Sequence, residues 1–293
     1  MIDKKDTYNY YLTMSNQKLE DCSVVQSNDL VTQTNWVMNK VPLKIFKAVV
    51  AAIDTLNPPE DNIIIISKKE LIKVVDGDSQ NYDYLKKEIR KLSTSVKVYS
   101  DDQKEKYVAL MTDLIWEKES DVIKVKFHND VMKYLLTKKD FLKYSASFLP
   151  MFKSKYGLIL YENILSDHKK YHSGQYTLTI DKLRWVTGTI KLHKDFRNFE
   201  KHVIRPAVND INQANVEILL KYEKIKSGRN VKAIKFYVAD RQSYQNKTYE
   251  DAVLGMLKKE KLTDDNKLNE SISEIGRTKY ENDKFSDDEF PFI

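Results

Sequence analysis

Two stretches of this chain carry the same order of apolar spacings. In the first, Phe46, Val49, Val50, Ile53 and Leu56 recur at helical intervals, so a buried helix is expected over 41–56. "NPP" at 57–59 must end it, because proline has no N–H to donate and restricts the residue before it. "NIIII" then reads as a short strand. Ser67 precedes "KKELIKVV" with Glu70 three residues on, a capping-box signature for a second helix. After the turn "DGDSQN", Tyr82, Leu85, Ile89 and Leu92 define a third helix whose outer side shows Lys86, Lys87, Arg90 and Lys91. Two β-rich runs follow, "KYVALMTDLIW" and "DVIKVKF", with "EKES" as a hairpin tip.

The second stretch repeats this order. "KSKYGLILYENIL" is a helix, "GQYTLTI" a strand, "IDKLRWV" a short helix and "TGTIKLHK" a turn before the helix "FRNFEKHVIRPAVNDIN", residues 196–212. "VEILLKYEKI" and "RNVKAIKFYV" close it as a hairpin through "KSG". Leu71 aligns with Leu183 and Leu85 with Phe199, offsets of 112 and 114 residues, which indicates two copies of one fold. Helix, strand, helix, turn, helix and two-stranded hairpin is the order of a winged helix. The expected class is therefore α+β and helix-rich, with two tandem winged-helix domains and a flexible acidic C-terminal tail. The expected boundaries are a leader at 1–27, partly disordered, a first domain at 28–138, a second at 139–246 and a tail at 247–293, with a linker near 137–147.

The helix over 196–212 has two faces. Phe196, Phe199, Val203, Ala207 and Ile211 form a stripe suited to burial, and Lys194, Arg197, Asn198, Lys201 and Arg205 lie opposite. Pro206 should kink this rod and end its reading half near Arg205.

Charge sharpens the picture. Residues 182–235 hold 13 basic and 5 acidic side chains, whereas residues 247–293 hold 8 basic and 12 acidic. A basic body with an acidic tail points to a polyanionic partner. Taken singly, one basic helix face is more often a solvated surface; the duplication and the basic wing, Lys224, Lys226, Arg229 and Lys232, favour DNA. Arginine grips guanine through two hydrogen bonds and asparagine does the same for adenine, while lysines near helix ends hold phosphates. The first domain is expected to add backbone contacts through Lys86, Lys87 and Arg90.

Enzymatic readings find little support. Seven glycines include no G-x-x-x-x-G-K-[ST] loop. A nicking relaxase needs a His-hydrophobe-His metal pair, which is absent, and His168 and His172 in "HKKYH" lack the glutamate of a zinc protease, so they read as surface histidines. Neither a metal nor a cofactor is expected. Cys22 is the only cysteine, which suits a reducing compartment. No apolar run approaches the ~18 residues of a membrane span, and the N-terminal stretch lacks a signal peptide's apolar core. The expected location is the cytoplasm.

The second unit resembles a known family. "KSKYGLILYENIL" is similar to the S-x-Y-x-x-x-L-Y-x-x-L signature of plasmid replication initiators of the RepB and RepE type, found on theta-replicating plasmids with iterons. "LTIDKLRWVTG" looks like their L-x-x-L-R-x-x-x-G segment, and "DFRNFEKHVIRPAVNDIN" is similar to their aromatic-rich recognition helix. The first unit matches more loosely through "NDLVTQTNWVMNKVPLKIF", and the resemblance spans about residues 25–242. It implies a non-enzymatic initiator that binds directly repeated double-stranded origin sites, helps melt adjacent DNA and recruits host replisome proteins such as a helicase, initiator or primase. It also implies a homodimer, joined mainly through the first domain, that represses its own promoter at an operator inverted repeat. By position it assigns base reading to His193, Lys194, Arg197, Asn198 and Lys201, flanked by Lys191 and Arg205. Asn198 and Glu200 depart from the arginine-rich run of some relatives. The rival reading is a tandem winged-helix transcription repressor that never opens an origin.

The tail ends in "FSDDEFPFI", which resembles the acidic tip of bacterial single-stranded DNA-binding proteins that docks on replication enzymes. Here Ile293 displaces the terminal carboxylate by one residue. Partner binding is assigned by this resemblance to Asp287, Asp288, Phe290, Pro291 and Phe292.

Overall fold

The computed structural model describes residues 18–76, 81–100 and 104–244. The first unit begins with β1 (Ser23–Ser27) and α1 (Asn28–Gln33), capped by Ser27, whose hydroxyl accepts from the Leu30 amide. Next come α2 (Lys40–Ala51), β2 (Ile63–Ser67), α3 (Lys68–Asp76) and α4 (Tyr82–Ile89). Strands β3 (Ser95–Ser100), β4 (Glu105–Ala109), β5 (Met111–Trp116) and β6 (Val122–Phe127) follow, then α5 (Asn129–Leu135) and β7 (Phe141–Ser145). The second unit holds α6 (Lys155–Tyr171), β8 (Gln175–Thr179), α7 (Ile180–Val186), α8 (Phe196–Phe199), a π-helical turn (Glu200–Ile204), α9 (Arg205–Gln213), β9 (Ile218–Ser227) and β10 (Asn230–Asp240).

Sheet topology bears out the duplication. The first unit pairs its strands in the order β2-β6-β5 and the second in the order β8-β10-β9, all antiparallel. In each, a strand leads into two helices and the returning hairpin lays its last strand against the first, which is the winged-helix arrangement.

Four sequence expectations need correction. Residues 141–145, read as linker, pair as β7 with β1, Ser145 opposite Ser23; this draws 23–27, read as leader, into the first unit. The run 106–116 is two strands rather than one, because the chain breaks at Leu110, β4 pairing with β3 while β5 pairs with β6. Helix α2 stops at Ala51, and Leu56 is 89% exposed rather than buried. There the Asp54 carboxylate accepts from the amides of Leu56 and Asn57, a local turn that competes with continued helix. The capping box at Ser67 closes on one side only. The Ser67 hydroxyl accepts from the Glu70 amide, but the Glu70 carboxylate takes the Leu19 amide and the Lys73 ammonium instead.

The two units share a buried polar knot. Lys47 on α2 lies 2.8 Å from Glu162 on α6, with side chains 0% and 1% exposed. Gln26 donates to Glu162 at 2.7 Å, Tyr144 donates at 2.6 Å, and Lys47 donates to Gln26 at 2.7 Å while its ammonium sits over the Trp36 ring. Burial pushes the Lys47 ammonium below its ordinary value of 10.5. Burial and the neighbouring carboxylates push the Tyr144 and Tyr161 phenols well above theirs. The native state therefore keeps phenolic protons that the unfolded chain releases above its ordinary pKa of 10.0. Stability from these two tyrosines is complete below that pH and declines above it, and Lys47 adds the opposite slope only up to 10.5. Urea midpoints measured from pH 9 upward should fall past about pH 10.5, with a shallower fall in Tyr144→Phe.

Candidate nucleic-acid interface

The rod over 196–213 presents the two faces that its sequence implies. Phe199, Val203, Ala207 and Ile211 are buried, Phe196 is half-buried, and Arg197, Asn198, Lys201 and Arg205 are exposed; Lys194, read as part of the same stripe, is exposed in the turn before the Asp195 cap. The structure departs from expectation at Pro206. No break occurs near Arg205; residues 200–204 form a π-helical turn in which the Arg205 amide reaches back to the Glu200 carbonyl. Pro206 then stands in the opening turn of α9, where a missing N–H costs least. The wide turn also serves the stripe. Apolar positions four apart from 199 to 211 would rotate about 120° around a regular helix, and one π turn absorbs about one residue of that drift. Both faces therefore stay straight.

Three side chains that sequence reasoning passed over hold this rod in place. Arg184 of α7 donates to the carbonyls of Leu192, His193 and Lys194 and lies 4.4 Å over the Phe199 ring, fixing the turn that leads into the helix. Asp195 caps α8 by accepting from the Asn198 amide at 2.8 Å. These hydrogen bonds hold its carboxyl below the usual range, so the cap is retained until strongly acidic pH. Glu200 ties helix to wing, accepting from Tyr222 at 3.0 Å and from Lys224 at 3.2 Å. The signal for Arg184 was present in "LRWVTG", but only the fold shows that it binds carbonyls of the following turn.

These links alter the expected reading group. Asn198 is exposed, yet its side-chain amide donates to Asp195 at 2.6 Å, so an adenine contact requires that bond to be exchanged. His193 has φ of 51° and stacks on His202 with ring centroids 5.1 Å apart. Lys224 is paired with Glu200, whereas Lys226, Arg229 and Lys232 are exposed around the wing tip. In the first unit, Lys87 and Arg90 are exposed on and just beyond α4, while Lys86 is half-buried over Trp116 of β5. Lys191 is exposed, and Asp287, Asp288, Phe290, Pro291 and Phe292 lie outside the described residues.

His168 is not the plain surface histidine expected. Its ring bonds the Ser173 carbonyl at 2.9 Å and Asp240 at 3.0 Å, joining the end of α6 to the end of β10. Among the described residues, no cluster of three or more histidine, cysteine or carboxylate side chains is placed to hold a metal. No described helix is long and apolar enough to cross a membrane.

The initiator replication protein family, first winged helix (WH1), matches residues 23–165, and the initiator Rep protein family, second winged helix (WH2), matches residues 179–238. The chain belongs to the replication initiator family. Within it, this chain is 25% identical over 127 residues to a replication initiation protein of Escherichia coli, a match covering 42% of this chain and 39% of that relative's length. Its fold is shared with a Pi initiator protein solved in complex with iteron DNA. That likeness has a TM-score of 0.62 at 19% identity and covers 76% of this chain and 99% of the other. The first family match runs through most of α6, past the boundary expected at 138, and α6 is the helix that packs against both units.

Proposed function

We propose that this initiator binds repeated origin sites in duplex DNA, iterons, and starts plasmid replication by assembling on and distorting that DNA without making or breaking covalent bonds. The observation that carries the proposal is the exposed row Arg197, Lys201 and Arg205 on a rod whose other face is buried in its domain, with Lys194 exposed in the turn just before it. In this reading Arg197 and Lys194 meet base edges and His193 and Asn198 assist them. Lys201 completes that reading group, and Lys191, Arg205 and the wing residues Lys224, Lys226, Arg229 and Lys232 hold phosphates. Lys86, Lys87 and Arg90 give the first domain its own backbone contacts. Linking two weak binders in this way raises their joint affinity without new contacts. Homodimerisation at an operator and recruitment of a host replisome protein through residues 287–292 complete the proposal.

Footprinting over the DNA upstream of its own gene should show evenly spaced protected repeats. Arg197→Ala is expected to lower the ratio of specific to nonspecific affinity by roughly 1–3 kcal/mol. Lys226→Ala should weaken both kinds of binding alike and reduce the salt slope by roughly one unit. An unchanged specificity ratio in Arg197→Ala would remove the rod from the reading role. Replication of a marker plasmid carrying the origin separates an initiator from a repressor.

A further inference from the structure

Beside the reading rod lies a surface that phosphate binding does not account for. In the turn before α8, Ile190 is 50% exposed and Leu192 51% exposed, on either side of exposed Lys191. Val37 of the first unit, 56% exposed, meets the same turn at Gly188. The two acids of this stretch are engaged internally, Asp195 by Asn198 and Glu200 by Tyr222 and Lys224. What faces solvent is positive charge interleaved with large apolar side chains. Duplex DNA satisfies the charge and leaves the apolar groups idle; a peptide alternating carboxylates with aromatics satisfies both.

This chain contains such a peptide. Residues 280–293 hold five acidic side chains against one lysine, together with Phe285, Phe290, Phe292 and Ile293, while residues 247–279 hold seven of each sign. The point of departure is also favourable. Past β10, the Arg241 guanidinium donates to the carbonyls of Val216 and Asn212, which puts the last described turn, Arg241–Tyr244, near the C-terminal end of α9. The rod is roughly 27 Å long at 1.5 Å per residue. Spanning that distance takes only about eight residues at roughly 3.3–3.6 Å each, and 49 residues follow Tyr244.

We propose that the acidic, aromatic tip at residues 285–293 docks in cis on the turn carrying Ile190, Lys191 and Leu192 and on the adjoining Lys194 and Arg197, and so competes with duplex DNA. The inference rests on the reading that this face binds DNA. Because the tip must leave before either kind of duplex binds, docking lowers specific and nonspecific affinity by the same factor, and the weaker nonspecific sites are the ones left empty at a given protein concentration.

The test uses the full chain carrying Asp287→Asn, Asp288→Asn and Glu289→Gln together. Affinity for a random-sequence duplex at low salt is expected to rise about tenfold over the parent, a difference of about 1.4 kcal/mol. A photo-crosslinking residue at position 290, activated without DNA, should label 190–197 within the same molecule, as judged by mixing isotope-labelled and unlabelled protein. Equal duplex affinities with no label in 190–197 overturn the proposal. Labels only between copies overturn its cis form and place a second molecule on this surface. If the cis label appears and neither protein binds duplex DNA, the docking stands and the DNA-reading role is what fails.

Discussion

Lys47→Met is expected to lower the free energy of unfolding by roughly 3–5 kcal/mol, the usual cost of removing one partner from a buried ion pair. Lys47 and Glu162 are 2.8 Å apart and almost wholly screened from water. Without the ammonium, the Glu162 carboxylate keeps only Gln26 and Tyr144 as donors in a site no solvent reaches. The double variant Lys47→Met with Glu162→Met should recover most of the loss, since a packed apolar pair of similar volume is often neutral or better. Urea denaturation of the parent, both single variants and the double variant gives the coupling directly. A loss under about 1 kcal/mol in Lys47→Met, the scale of an exposed pair, would show that the knot does not hold α2 to α6. Because the knot joins the two units, the single variants should also weaken DNA binding that depends on both domains.

Gly188→Ala is the second large expectation. Gly188 has φ of +65°, and a Cβ there would lie 2.5 Å from the Trp36 carbonyl oxygen and 2.9 Å from the Val37 Cα. The backbone strain amounts to about 1–2 kcal/mol, and overpacking against backbone adds about 1–3 kcal/mol. The contact lies between the units. Trp36 donates its amide to the Val186 carbonyl at 3.3 Å, Trp185 donates its indole N–H to the Gln33 carbonyl, and Lys155 reaches the Trp36 carbonyl. Gly188→Ala should therefore loosen the junction more than either core. Expected readouts are a red-shifted tryptophan emission from Trp36 and Trp185, faster proteolysis near residues 34–37, and reduced affinity for a full site with affinity for a half-site retained. Tryptophan emission and proteolysis identical to the parent would show that the neighbouring loop yields without cost.

The same two variants show where sequence reading stops. Lys47 sits in "FKAVV", where its charge suggests a solvent-facing turn of an amphipathic helix, and Glu162 sits in "LYENIL", within a stretch read as a helix and as part of the family signature. Nothing in either stretch announces a partner more than a hundred residues away. Gly188 is visible as a turn residue in "WVTG", but the carbonyl it must admit belongs to Trp36, in the other unit. Pro206 is another such case. Its lack of an N–H predicts a break, whereas the packed core selects a π turn that keeps Phe199, Val203, Ala207 and Ile211 on one line.

Local spacing alone determined the two repeated units, the wing hairpin of the second, and the buried and cationic stripes of the rod over 196–213. Each depends on neighbours within one or two helical turns, or on strand alternation, and those intervals are written directly into the chain. Tertiary structure alone decided that 141–145 returns to pair with 23–27, that Glu200 and Asp195 restrain Lys224 and Asn198, and that the two domains meet through Trp36, Gly188 and a buried ion pair. Those outcomes depend on which distant surfaces exclude water together, and burial acts between neighbours in space whatever their separation along the chain.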